Sequence, residues 1–134
     1  MAPPEASFAE WLGRAATDLR VAELTLQDAD LADWPAGFHL QQAAEKALKA
    51  VLVAHGSQVP RTHDLDHLVE LVEELEPMLG SWGDRLLVLN EYGVVQRYPG
   101  IEDPEADLRA LLEEVRELLS AATTACRVVG EPRT

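Results

Sequence analysis

The chain has 134 residues, a length that suits one domain, and its 47% apolar content is enough for a core without disulfide or metal staples. Aromatics are only 5%, so that core is aliphatic, and the Leu- and Ala-rich composition excludes a sheet protein in favour of helices. The net charge of −13, from 11 basic and 24 acidic side chains, repels phosphate backbones and anionic membranes, and excludes broad nucleic-acid binding.

The start, Met1-Ala2-Pro3-Pro4-Glu5-Ala6, has no basic stretch leading into an apolar run, so no signal peptide is expected. No apolar run approaches the ~20 residues that span a bilayer. With the lone Cys126 excluding an internal disulfide and a cysteine-rich zinc module, the expected compartment is the cytoplasm.

Five helices are predicted, as an antiparallel four/five-helix up-and-down bundle spanning residues 1–134, with ends frayed at 1–6 and 130–134. The first opens on a capping box, Ser7 with Glu10, and carries the stripe Phe8, Leu12, Ala15, Leu19, Ala22 and Leu26. Asp33-Trp34-Pro35-Ala36-Gly37 reads as its stop. The second runs from Phe38 to His55, with Gly56 as C-terminal stop. Its alanines, Ala43, Ala44, Ala47, Ala50 and Ala54, permit close helix approach, and Gln42, Glu45, Lys46 and Lys49 fall on the opposite, solvated face.

The third helix is capped near Thr62 or Asp64, buries Leu65, Leu68, Val69, Val72 and Leu75, and breaks at Pro77 and Gly80. The fourth runs from Ser81 to Gln96 and ends at Tyr98-Pro99-Gly100. The fifth opens with Asp103 as N-cap and Pro104 at the first helical position, and its stripe begins at Leu108. Neither a repeat nor a linker divides the chain.

Charge is unevenly placed. Both lysines and all four histidines lie between Phe38 and His67, where Lys46, Lys49 and Arg61 balance Glu45, Asp64 and Asp66. An anion would meet the protein there. The bland reading of Gln42, Glu45, Lys46 and Lys49 is a solvated face with one Glu45–Lys49 pair, worth a few tenths of a kcal/mol. Arg61 then becomes a loop cation, and His63 a cap for the third helix. His63 and His67 stand i,i+4 with Glu70 on the same face, a spacing that can hold a metal. That face continues to Glu74 opposite the leucine stripe, so solvated surface explains it and no metal is assigned.

The series Gln41-Gln42-Ala43-Ala44-Glu45-Lys46-Ala47-Leu48-Lys49-Ala50, Pro60-Arg61-Thr62-His63-Asp64-Leu65 and Arg97-Tyr98-Pro99-Gly100 resembles the HEPN family, with Trp11 and Asp18-Leu19 in the first helix. The resemblance implies a small helical bundle, a homodimer, and a gene beside a minimal nucleotidyltransferase, in some cases as a toxin–antitoxin pair. It also implies nucleotide binding or, in other members, ribonuclease activity. It makes Gln42, Glu45, Lys46, Lys49, Arg61, His63, Arg97 and Tyr98 the candidate ligand-binding residues. The family's ribonuclease signature, an arginine followed four to six residues on by a histidine, is absent after Arg97 and after Arg85. Arg61 and His67 have the spacing but open the third helix instead. No catalytic residue and no cofactor are therefore assigned.

Three function classes remain: a non-catalytic partner of a nucleotidyltransferase, which is favoured; a ribonuclease with other residues; and a homodimeric scaffold. For the dimer, apolar surface is expected at Leu52, Val53, Trp34, Trp82 and Tyr92.

Overall fold

The structure is a computed structural model that describes residues 6–130. It is an all-α bundle, and among the described residues there is no strand. The helices are α1 (Phe8–Gln27), α2 (Trp34–Ala54), α3 (Leu65–Leu75), α4 (Gly83–Leu86), α5 (Leu89–Val95) and α6 (Leu108–Gly130), with a 3-10 segment, Pro77–Trp82, before α4. No helix among the described residues is long and apolar enough to cross a membrane. The frayed ends expected at 1–5 and 131–134 lie outside the described residues, and Gly130 is still helical.

α1 starts on the expected capping box. Ser7 Oγ accepts from the Glu10 backbone N–H, and the Ser7 N–H donates to Glu10 Oε2. α2 is the hub, packing against α1, α3, α5 and α6. Such a helix must be apolar nearly all round. Ala43, Ala44, Ala47 and Ala50 are fully buried, as are Leu40, Leu48 and Val51. α2 closes as expected: Gly56 takes φ 74°, its N–H reaches the Val53 carbonyl, and the Ser57 N–H reaches the Leu52 carbonyl. A side chain would strain that left-handed residue, so glycine suits it.

Three boundaries differ from the sequence reading. Asp33-Trp34-Pro35-Ala36-Gly37 is the first turn of α2, not a stop after α1. Pro35 occupies a position that needs no backbone donor. Gly37 serves packing: a Cβ there would lie 2.3 Å from Tyr92 Cδ1, so the glycine lets the α5 ring lie on the α2 backbone.

The predicted fourth helix is split into the 3-10 segment, α4 and α5. Gly80 and Gly83 weaken a continuous helix and admit close neighbours, with Glu73 over Gly80 and Val69 Cγ1 3.3 Å from a Cβ at Gly83. Trp82 turns inward and donates its Nε1–H to the Glu114 carbonyl at 3.2 Å.

The last helix begins at Leu108, with Asp103 and Pro104 left in the preceding loop. Asp107 supplies the cap instead, its carboxylate accepting from the Ala110 N–H at 3.1 Å. Arg109 then donates to the Leu26 carbonyl at 2.8 Å, tying α6 to the C-terminal end of α1.

The apolar surface also lies elsewhere than expected. Leu52 and Tyr92 are buried, and Val53, Trp34 and Trp82 are half-buried. The exposed large apolar side chains include Met78, Val128, Tyr98, Leu31, Leu87, Val94 and Ile101.

Candidate functional site

The polar residues of α2 are not on a solvated face. With α2 packed against α1, α3, α5 and α6, Gln41, Glu45 and Lys49 are buried, and Gln42 and Lys46 are half-buried. A buried charge must be paired and hydrogen-bonded, and these are. Glu45 Oε2 accepts from Lys49 Nζ at 3.0 Å, while Glu45 Oε1 accepts from Gln41 Nε2 at 3.2 Å and meets His63 Nδ1 at 2.8 Å. Gln41 Nε2 also donates to the His63 carbonyl at 3.1 Å, which pins the loop before α3 to α2. Lys49 Nζ lies 5.6 Å from the centre of the Trp11 ring, a cation–π contact.

A second cluster links α1 to α2. Asp18 accepts from Lys46 Nζ at 2.5 Å through Oδ2 and meets His39 Nδ1 at 2.9 Å through Oδ1. Among the described residues, every buried side-chain nitrogen and oxygen has a partner.

These networks frame a pocket of about 310 Å³ between α2, the loop before α3, and α5 with its following loop. Gln42, His63, Arg97 and Tyr98 from the sequence-predicted set line it, together with Phe38, Gln41, Asp64, Asn90 and Val94. Asn90 is held by both ends of its amide. Its Oδ1 accepts the Leu65 N–H at 3.0 Å, and its Nδ2 donates to Asp64 Oδ1 at 3.1 Å. Asp64 also caps α3 by accepting the Asp66 N–H.

The remaining predicted residues are not on the pocket wall. Glu45 and Lys49 stand behind it, in contact through Gln41 and His63. Lys46 turns to α1, and the exposed Arg61 lies outside the lining. The lysines are paired with Asp18 and Glu45. The physical reason is the environment of α2: its polar residues cross helix interfaces. The expected cap role of His63 is filled by Asp64, and the His63–His67–Glu70 face does not form, because His63 precedes α3. Among the described residues, no three metal-ligating side chains converge.

Sequence reasoning missed Phe38, Asn90 and Asp64 on the wall. Asn90 carries no local signal, since its partners are 25 and 26 residues away in sequence.

Chemically, the pocket offers aromatic walls, amides and an exposed guanidinium. The Arg97 guanidinium makes no hydrogen bond or ion pair among the described residues, although the side chains of Arg85, Arg109 and Arg116 all do. His63 is oriented from behind. A carboxylate can only accept, so Nδ1 carries the proton toward Glu45, and Nε2 is the free ring nitrogen.

A family model described as HEPN domain matches residues 8–126. No curated protein matches the chain.

Proposed function

Because the chain belongs to the HEPN domain family, we propose that it is a nucleotide-binding, non-catalytic partner of a minimal nucleotidyltransferase, in a toxin–antitoxin-like pair. The observation that carries this reading is the pocket that gathers Phe38, Gln42, His63, Asn90, Arg97 and Tyr98. Its volume lies at the small end of ligand sites. Phe38 and Tyr98 offer faces to a base, Gln42 and Asn90 offer amides, and Arg97 offers a planar cation for a phosphate. The net charge of −13 over the whole chain favours a small nucleotide over a long polyanion as the ligand.

The test is calorimetric titration of the protein with ATP, ADP and AMP. Saturable binding is expected, weakened at least tenfold by Arg97→Ala. Equal affinity in that variant removes the pocket from the proposal. Co-expression with the nucleotidyltransferase of the adjacent gene is expected to yield a complex.

One observation favours the ribonuclease as a second reading. The Glu45–His63 pair orients an imidazole that lines the same pocket as Arg97, and an acid/base group with a cation is what phosphodiester cleavage needs. Cleavage of single-stranded RNA that is lost in His63→Ala would establish it; intact RNA is the expected result.

The homodimer is proposed through the exposed Leu87, Val94, Tyr98 and Ile101. A monomer by light scattering at micromolar protein removes it.

A further inference from the structure

A second cavity, of about 460 Å³, runs between the 3-10 segment and the C-terminal half of α6. Its floor is apolar: Leu79 and Trp82 on one side, Ala121, Ala125 and Val128 on the other. Met78 and Val128 are 86% and 76% exposed at its mouth. Trp82 is held in place by its bond to the Glu114 carbonyl, and the α6 side chains facing it, Ala121, Thr124 and Ala125, are small. The stretch from Ala121 to Val128 is about 10 Å at 1.5 Å per residue, two turns of a helix laid alongside.

The rim is acidic. Glu76, whose Oε1 meets His55 Nε2 at 3.1 Å and whose other oxygen is left over, lines the groove; beyond the lining, Glu73 packs over Gly80 of the 3-10 segment, and Glu117 precedes Ala121 by one turn on the same face of α6. The adjoining arginine, Arg85, is spent on Glu114 and the Trp82 ring. Arg127 points about 100° away from Val128 around α6.

We propose that this groove docks an amphipathic helix of a protein partner, with aliphatic side chains at i, i+4 and i+7 on its apolar face and Lys or Arg along its edges. The apolar floor takes the aliphatic anchors, in the helix-in-groove mode, and the carboxylate rim selects the basic flanks. A second copy of this chain fits less well, since α6 brings its own glutamates to the contact. The inference stands apart from the nucleotide pocket, because none of the groove residues lines that pocket.

The test uses a fluorescein-labelled leucine–lysine peptide of helical periodicity, read by anisotropy and by tryptophan emission, with the Trp82 contribution taken as the difference from a Trp82→Phe form that keeps Trp11 and Trp34. Two comparison peptides have the same composition in alternating order, or glutamate in place of lysine. The protein forms are the wild type and Met78→Asp/Val128→Asp. Both substituted side chains are exposed, and the helicity of the variant is checked by circular dichroism.

The expected result is saturable binding of the helical basic peptide with a blue shift of Trp82. Binding should be at least tenfold weaker to the double variant, although that variant is more negative. Unchanged or tighter binding by the variant would mean diffuse charge attraction and would overturn the proposal. So would equal binding of the alternating or acidic peptide, or the absence of any Trp82 shift. A wild-type dimer that becomes monomeric in the variant would also overturn it, by making a second copy the occupant. Should the double variant fail to fold, Val128→Asp alone is expected to weaken binding, and unchanged affinity there overturns the proposal equally.

Discussion

Replacing Glu45 by alanine removes the acceptor at the centre of the α2 network. The side chains of Glu45 and Lys49 are only 4% and 8% exposed. The Lys49 ammonium keeps a cation–π contact with Trp11 but loses its counter-ion, while Gln41 and His63 lose a shared acceptor. Breaking one half of a buried ion pair costs about 3–5 kcal/mol, because the remaining charge is left unpaired. An exposed i,i+4 pair costs only about 0.3–0.5 kcal/mol, so the two environments are separable by an order of magnitude. For a chain of this size about 1 kcal/mol moves the melting temperature by roughly 3–5 °C, and Glu45→Ala is expected to lower it by ~10–20 °C. Urea denaturation gives the free energy directly. The double change Glu45→Gln/Lys49→Met removes both charges and should recover much of the loss. A loss below about 1 kcal/mol for Glu45→Ala would refute the buried-network reasoning and return these residues to solvated surface.

Four further outcomes are expected. Gly37→Ala should destabilise by about 1–3 kcal/mol in urea, since its Cβ meets the Tyr92 ring and overpacking outweighs the better helix propensity of alanine. Lys46→Ala/Lys49→Ala should lower stability by several kcal/mol, measured the same way, because Asp18 and Glu45 are each left without their ammonium partner. Cys126 is fully buried, and burial, then the charge of Glu76, pushes its thiol up to about 11. About one thiol in a thousand is then ionised at pH 8, so thiol reagents should modify it only after unfolding. The same raised value contributes stability that is complete below the ordinary thiol range of about 8.5 and is lost as pH rises toward 11. An alkaline fall in melting temperature that is diminished in Cys126→Ala checks it.

Much of the fold was legible because it rests on short-range rules. The Ser7–Glu10 capping box, the Gly56 stop and the leucine stripes of α3 and α6 depend on residues within a turn or two of each other. The misread boundaries depended on distant partners. Gly37 looks like a breaker until Tyr92, 55 positions later, is seen lying on it. Pro35 fits the start of a helix as well as it fits an end, and only the packing of α2 decides. The polar side chains of α2 were misplaced for a related reason. Helical periodicity places Glu45 and Lys49 opposite the alanines, but it cannot tell a solvated face from one covered by further helices. Of the candidate site, Gln42, His63, Arg97 and Tyr98 reach the pocket, and the lysines do not. Charge balance along the chain located the region without revealing that Asp18, from another helix, claims Lys46.

The proposed ligand site is the Phe38–Gln42–His63–Asn90–Arg97–Tyr98 pocket and not the lysine face of α2. An amide and side-chain NMR titration with ATP tests it most directly. Saturable shifts are expected to concentrate at Phe38, Gln42, His63, Asn90, Arg97 and Tyr98, with the Lys46 and His39 signals little moved. Shifts centred on His39, Lys46 and Lys49, or no saturable shifts at millimolar nucleotide, would contradict it.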